Sequence, residues 1–88
     1  MSEIINTDRE LIIKMLNREY KDEHPSVYLY VCGQERAQKT AIFHIIKYVR
    51  VIFYGCFDDY ILKKHIIEFL EYKKDQYKKG EIKVKPVY

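Results

Sequence analysis

Two segments of the chain share one local pattern: a run of β-branched and aromatic residues that ends beside Gly and Cys and leads into a helical pattern. The first segment covers 27–33 and the second covers 49–56. Strand-then-helix units in tandem predict an α/β layer in which both strand ends lie on one edge of a sheet. We therefore expect Gly33 and Gly55 at that edge, where such folds bind their ligands.

Three helices are predicted around these strands. The first opens with a capping box, in which the Thr7 hydroxyl and the Glu10 carboxylate satisfy free backbone amides, and it runs to about Lys21. The second opens near Gln34. The third is capped by Asp58 or Asp59 and has a well-defined apolar stripe. It ends at Gly80, because glycine readily adopts the left-handed conformation that terminates helices.

The last segment and one junction complete the expected topology. Apolar and charged residues alternate over 82–88, which predicts a strand that Pro86 restricts to a sheet edge. No turn residue separates the second helix from 49–54, so a continuous helix over 35–54 is the alternative to a strand there. The expected fold is α/β, with α+β as the alternative: a single domain over 1–88 in the order helix-strand-helix-strand-helix-strand, with two layers and a small three-stranded sheet.

Composition indicates the expected compartment and assembly. The 88 residues are 48% hydrophobic and 33% charged, which is typical of a globular domain. No apolar run reaches about 18 residues, so no membrane span is predicted. The N-terminus lacks the basic and apolar regions of a signal peptide, and with two cysteines this predicts a cytoplasmic protein. A chain of this size has a barely adequate core, so we expect a homodimer.

The stretch 32–40 resembles a phosphate-binding P-loop, because a predicted strand leads into Gly33 and then to Lys39 and Thr40. Gln38 stands where that loop needs a second glycine to let the backbone wrap a phosphate. Ordinary residues at the start of a helix are the preferred interpretation.

Other residue sets do not assemble into a catalytic or metal site. Glu81 and Lys83, with Asp58 upstream, resemble the metal site of restriction-type nucleases, but a whole predicted helix separates them. The cysteines and histidines lack zinc-ligand spacing. Cys32 and Cys56 form either a redox-sensitive pair or two inert thiols, and we prefer the second interpretation. No catalytic residue, metal ligand or cofactor is predicted, and we expect binding rather than catalysis.

The C-terminal third carries the predicted binding surface. Within 73–85, six lysines stand against two acidic residues, whereas 1–24 carries six acidic residues against four basic ones. Lysines neutralise phosphates and tyrosines stack on bases, so the mixture of the two favours nucleic acid. The candidate nucleic-acid-binding residues are Lys73, Lys74, Tyr77, Lys78, Lys79, Lys83 and Lys85.

The order of elements from Val27 onward is similar to that of the Alba chromatin proteins, and the spacing from Gly55 to Glu68 resembles that family's loop and second helix. The resemblance implies a basic, dimeric nucleic-acid-binding domain, although Phe57 and Asp58 stand where the family carries Gly and a basic residue. The predicted function is a small intracellular nucleic-acid-associated or regulatory binding protein. The alternative is a protein-interaction module, such as a small viral or phage factor that blocks a host complex, because a short chain with nine tyrosines suits a protein interface equally well.

Overall fold

Helices form all the regular structure in the part of the chain that the computed structural model describes, residues 2–54 and 57–84, with side chains from residue 9 onward. They are α1 (Ser2–Glu19), α2 (Pro25–Cys32), α3 (Glu35–Phe53) and α4 (Asp59–Lys78). No strand occurs among these residues, so the α/β prediction, its α+β alternative and the three-stranded sheet are wrong. For the same reason, the described residues do not form the topology expected from the resemblance to Alba proteins.

The first predicted strand is the short helix α2. Pro25 occupies its first turn, where a missing N–H costs nothing and the fixed φ favours the helix. His24 is the N-cap residue, and its ring Nδ1 accepts a hydrogen bond from the Ser26 N–H at 3.0 Å. The helix is apolar at nearly every position because it packs against both α3 and α4.

The second predicted strand is the C-terminal part of α3, so the structure has the continuous helix that was the alternative. Val49 is fully buried whereas Val51 is 70% exposed, although these residues would share one face of a strand. Packing therefore overrides the β propensity of these residues. The helix ends at Tyr54, which has the left-handed φ of 53°. The buried stripe consists of Ala41, Ile45 and Val49.

The ends of α4 follow the local sequence signals. Asp58 is the N-cap residue and accepts a hydrogen bond from the Tyr60 N–H at 3.2 Å. Gly80 has a φ of 78°, and the Glu81 N–H donates to the Gln76 carbonyl at 2.9 Å, as expected at a left-handed helix terminus. The predicted caps of this helix are confirmed.

The predicted start of the first helix and the predicted last strand are not confirmed. Helix α1 begins at Ser2, so Thr7 lies inside it and does not cap it. Residues 82–84 form no strand, and 85–88, with Pro86, lie outside the described residues.

Gly33 lies between α2 and α3, not after a strand. Its φ of −86° is accessible to any residue, so its backbone conformation does not require glycine. Close packing requires glycine here, because a Cβ at this position would lie 2.1 Å from the Leu29 carbonyl oxygen and 2.5 Å from the Ala37 Cβ. Gly55 lies outside the described residues.

The core lies along α4, which packs against α1, α2 and α3. Helix α1 packs on α4, where Arg9 pairs with Glu68 and lowers the pKa of that carboxyl group. Near the C-terminal end of α1, the Glu19 carboxylate contacts α3, where it accepts a hydrogen bond from the Tyr48 hydroxyl at 2.9 Å. No helix in the described ranges has the length and apolar character needed to cross a membrane. The fully buried large side chains are Ile12, Leu16, Val27, Ile45, Val49, Leu62, Ile66 and Leu70.

Candidate nucleic-acid interface

Lys73, the first cation of the predicted surface, forms an internal ion pair. Its ammonium lies 2.5 Å from Asp22 in the segment between α1 and α2, and 5.5 Å from the centre of the Phe69 ring. Only 13% of its side chain is exposed. Its charge is therefore already neutralised within the fold, where it joins α4 to the segment between α1 and α2.

Tyr77 and Lys79 are exposed but engaged with neighbouring side chains. The thiol of Cys32, the last residue of α2, lies near the Tyr77 hydroxyl and raises the pKa of Tyr77. Lys79 lies 3.1 Å from Asp75 one turn earlier, and that carboxylate raises the pKa of Lys79. Both residues remain reachable from solvent, but Lys79 brings little net positive charge because Asp75 lies beside it.

The remaining predicted cations separate into two groups. Lys74 and Lys78 lie one turn apart on α4, and neither has an acidic partner among the described residues. Lys83 is exposed beyond Gly80, and Lys85 lies outside the described residues. The structure therefore does not collect the predicted residues into one patch, and Lys74 and Lys78 are the ones on α4 with uncompensated charge.

Lys74 and Lys78 continue a longer row of side chains on α4. Tyr60, Lys63, Lys64 and Ile67 line a hollow on the surface of this helix, and their spacing of three and four residues leads on to positions 71, 74 and 78. At a rise of 1.5 Å per residue, the row from Tyr60 to Lys78 is about 27 Å long. The row thus carries four lysines, Lys63, Lys64, Lys74 and Lys78, and one carboxylate, Glu71, between the two lysine pairs.

Helix α3 widens this row into a surface. Lys39, Ile42, Phe43, Ile46 and Lys63 line a second hollow, and because Lys63 lines both hollows they adjoin each other. The Lys47 ammonium lies 5.0 Å from the centre of the Phe43 ring. We call this surface the α3–α4 basic face, which comprises Lys39, Phe43, Lys47, Tyr60, Lys63, Lys64, Lys74 and Lys78.

The acidic side chains near this face already have partners. Glu35 lies 3.6 Å from Lys39, and Asp59 accepts from Arg50, with Nε to Oδ1 at 2.8 Å. Glu71 accepts the hydroxyl of Tyr30; burial and this hydrogen bond together raise the pKa of Tyr30. Within the described part of the chain, all lysines of the face except Lys39 lack an acidic partner.

Two aromatic rings project from the same face. Phe43 is 58% exposed and Tyr60 is 73% exposed, whereas Ile42, Ile46 and Ile67 between them are half-buried. Counting charge along the chain misses this surface, because its lysines are dispersed over two helices. The spacing of Lys63, Ile67, Lys74 and Lys78 on one side of a helix is the sequence signal that indicates part of it.

A second surface feature lies between α1 and α3. These two helices are bridged near Tyr20 and Tyr48, whose ring centres are 5.9 Å apart, and an open groove of about 470 Å³ runs beside them. Leu11 is 47% exposed at its edge. The groove, which we call the α1–α3 groove, is lined by Leu11, Lys14, Met15, Arg18, Ile52 and Phe53.

The residues considered for metal or redox chemistry lie apart. His24 caps α2, and His65 lies 3.4 Å from Glu68 on α4. Cys32 is a free, exposed thiol, and Cys56 lies outside the described residues. In the described ranges, no three His, Cys, Asp or Glu side chains converge as metal ligands do.

Comparisons of the chain with protein-family models, with curated proteins and with solved structures find no match. Its function is therefore inferred from the surface geometry.

Proposed function

We propose that this chain is a nucleic-acid-binding protein and that the α3–α4 basic face is its binding surface. The observation that supports this most strongly is the row of four lysines along α4, which spans about 22 Å from Lys63 to Lys78 at the helical rise of 1.5 Å per residue. These four, Lys63, Lys64, Lys74 and Lys78, lack an acidic partner among the described residues. Lysines that neutralise phosphates release condensed counterions, and this release drives binding.

The surface differs from the one predicted at the C-terminal end of the chain. Lys73 is neutralised by Asp22 and Lys79 by Asp75, so they contribute little net charge to a ligand. Lys74 and Lys78 belong to both surfaces. The proposed centre of binding is accordingly the first two turns of α4, around Lys63, where α3 adds Lys47 beside Phe43.

The test is a titration of labelled DNA strands and duplexes of about 20 nucleotides at two salt concentrations, followed by fluorescence anisotropy. We expect the Lys63→Glu/Lys64→Glu variant to bind more weakly than wild type. The salt dependence, as the slope of log K against log salt, should fall by about 1.4 on a single strand and about 1.8 on a duplex, because two phosphate contacts are lost.

A matched control makes the same change of charge elsewhere. Lys14 and Lys21 are exposed and lie in and just after α1, so Lys14→Glu/Lys21→Glu should keep wild-type affinity apart from a small general charge effect. Equal losses from the two double variants, or no binding by wild type, would contradict the proposal.

The second candidate function is protein interaction, and the α1–α3 groove is the observation that favours it. Its apolar lining is partly open to solvent, and such surfaces mark protein contacts. A second copy of this chain is the simplest partner, since a homodimer is expected for so small a core. Sedimentation of wild type and Leu11→Asp tests this: a dimer that this change dissociates supports the groove as the contact, and a monomeric wild type contradicts it.

A further inference from the structure

We infer that the nucleic acid bound by the α3–α4 basic face is single-stranded and that bases stack on Phe43 and Tyr60. This inference rests on the proposed function. Both rings are more than half exposed, at 58% and 73%. Every base offers an aromatic face, but in a duplex those faces are stacked on one another, so exposed rings gain a stacking partner only from an unpaired strand.

Each ring has lysines beside it. The Lys47 ammonium lies 5.0 Å from the Phe43 ring centre, and Tyr60 shares its hollow with Lys63 and Lys64. A base stacked on either ring would therefore have its phosphate close to an ammonium group. Because Lys63 lines both hollows, the two ring-and-lysine sites are neighbours. Alternating aromatic and cationic groups complement a strand in which bases and phosphates alternate.

The shape and apolar content of the face favour a strand over a duplex or a membrane. The face includes two adjoining hollows, one on the surface of α4 and one between α3 and α4, whereas reading a duplex requires an element that enters a groove. Its isoleucines, Ile42, Ile46 and Ile67, are half-buried and lie among lysines, so they do not project as a membrane-inserting stripe would.

The experiment compares three ligands of similar length: an oligothymidylate, the same backbone without bases, and a duplex. Phe43→Ala and Tyr60→Ala should each lower the affinity for oligothymidylate by roughly 5- to 150-fold, the range for losing one stacked base. Affinity for the abasic strand and for the duplex should not change, because the lysines remain. Tyr72→Ala is the matched control, since Tyr72 is 63% exposed on α4 but lines a different hollow, next to α1.

The outcomes separate this inference from the proposed function. If the ring variants bind oligothymidylate as tightly as wild type while Lys63→Glu/Lys64→Glu weakens it, stacking is overturned and nucleic-acid binding stands. Equal losses in Tyr72→Ala also overturn stacking at this face. If wild type binds none of the three ligands, or binds only vesicles containing phosphatidylserine, both the inference and the proposed function are overturned. Far-UV circular dichroism confirms that each variant keeps its helices.

Discussion

Replacing Gly33 by alanine tests how closely α2 and α3 pack at their junction. The added Cβ would lie 2.1 Å from the Leu29 carbonyl oxygen, which already accepts the Gly33 N–H at 3.0 Å, and 2.5 Å from the Ala37 Cβ. Both neighbours are fixed in helices, the first as backbone and the second as a side chain with no rotamer freedom. Removing these two overlaps requires the end of α2 or the start of α3 to shift.

Two opposing effects determine the free energy of unfolding of Gly33→Ala. At a φ of −86° alanine is unstrained, and the loss of glycine entropy in the unfolded chain would stabilise the protein by about 0.4–1 kcal/mol. Overpacking costs about 1–3 kcal/mol, and contacts this short belong at the upper end. The net expectation is a destabilisation of about 2 kcal/mol. For a domain of this length, that corresponds to a fall in Tm of about 10 °C.

Urea denaturation followed by circular dichroism measures this change. Gly80→Ala is the control, because nothing lies within 4 Å of its added Cβ and its whole cost comes from a φ of 78°, about 1 kcal/mol. Adding Ala37→Gly to Gly33→Ala removes one of the two overlaps, so the double variant should lose less stability than the two single changes predict together. A Gly33→Ala protein as stable as wild type would refute the packing at this junction.

Three further predictions concern the helices. Val49→Ala should lower the free energy of unfolding by about 1–3 kcal/mol because Val49 is fully buried. Val51→Ala should be neutral or slightly stabilising because Val51 is 70% exposed. Equal urea midpoints for the two variants would contradict a helix here. Tyr54→Gly should stabilise by about 1 kcal/mol, because a 91% exposed residue with a φ of 53° gains from losing its Cβ, and a lower midpoint would contradict that conformation. Burial lowers the pKa of His24, whose neutral Nδ1 caps α2, so protonation favours the unfolded state and stability should fall as pH drops below about 6.5. His24→Asn keeps a capping side chain and should lose less stability between about pH 7.5 and about pH 5.5; an equal loss would exclude His24 as the source.

The features predicted correctly are those determined by neighbouring residues. Asp58 and Gly80 bound α4 through hydrogen bonds within a few residues, and such caps are visible in the sequence. The strands were wrong because the environment of a β-branched residue depends on what packs against it. Val49 and Val51 have the same intrinsic preference, yet one is enclosed by the core and the other faces solvent.

In the candidate site too, features that depend on neighbouring residues are visible in the sequence, whereas features that depend on contacts between distant residues are not. The lysine-rich end of α4 is visible as a local excess of charge, and Lys74 and Lys78 remain available there. The neutralisation of Lys73 by Asp22 is not visible, because the two residues are separated by 51 positions and meet only in the folded chain. Lys39 and Lys47 contribute to the surface because α3 lies beside α4. The predicted topology had a strand between these two helices and did not bring the lysines to this surface.

The most direct test of nucleic-acid binding at the α3–α4 basic face is a titration of the ¹⁵N-labelled chain with oligothymidylate, followed by amide chemical shifts. We expect the perturbed amides to cluster around 39–47 and 60–67 and to continue towards Lys74 and Lys78. The perturbations should diminish as salt is raised, because phosphate contacts exchange with cations. Perturbations confined to the α1–α3 groove, or no perturbation at any residue, would contradict it.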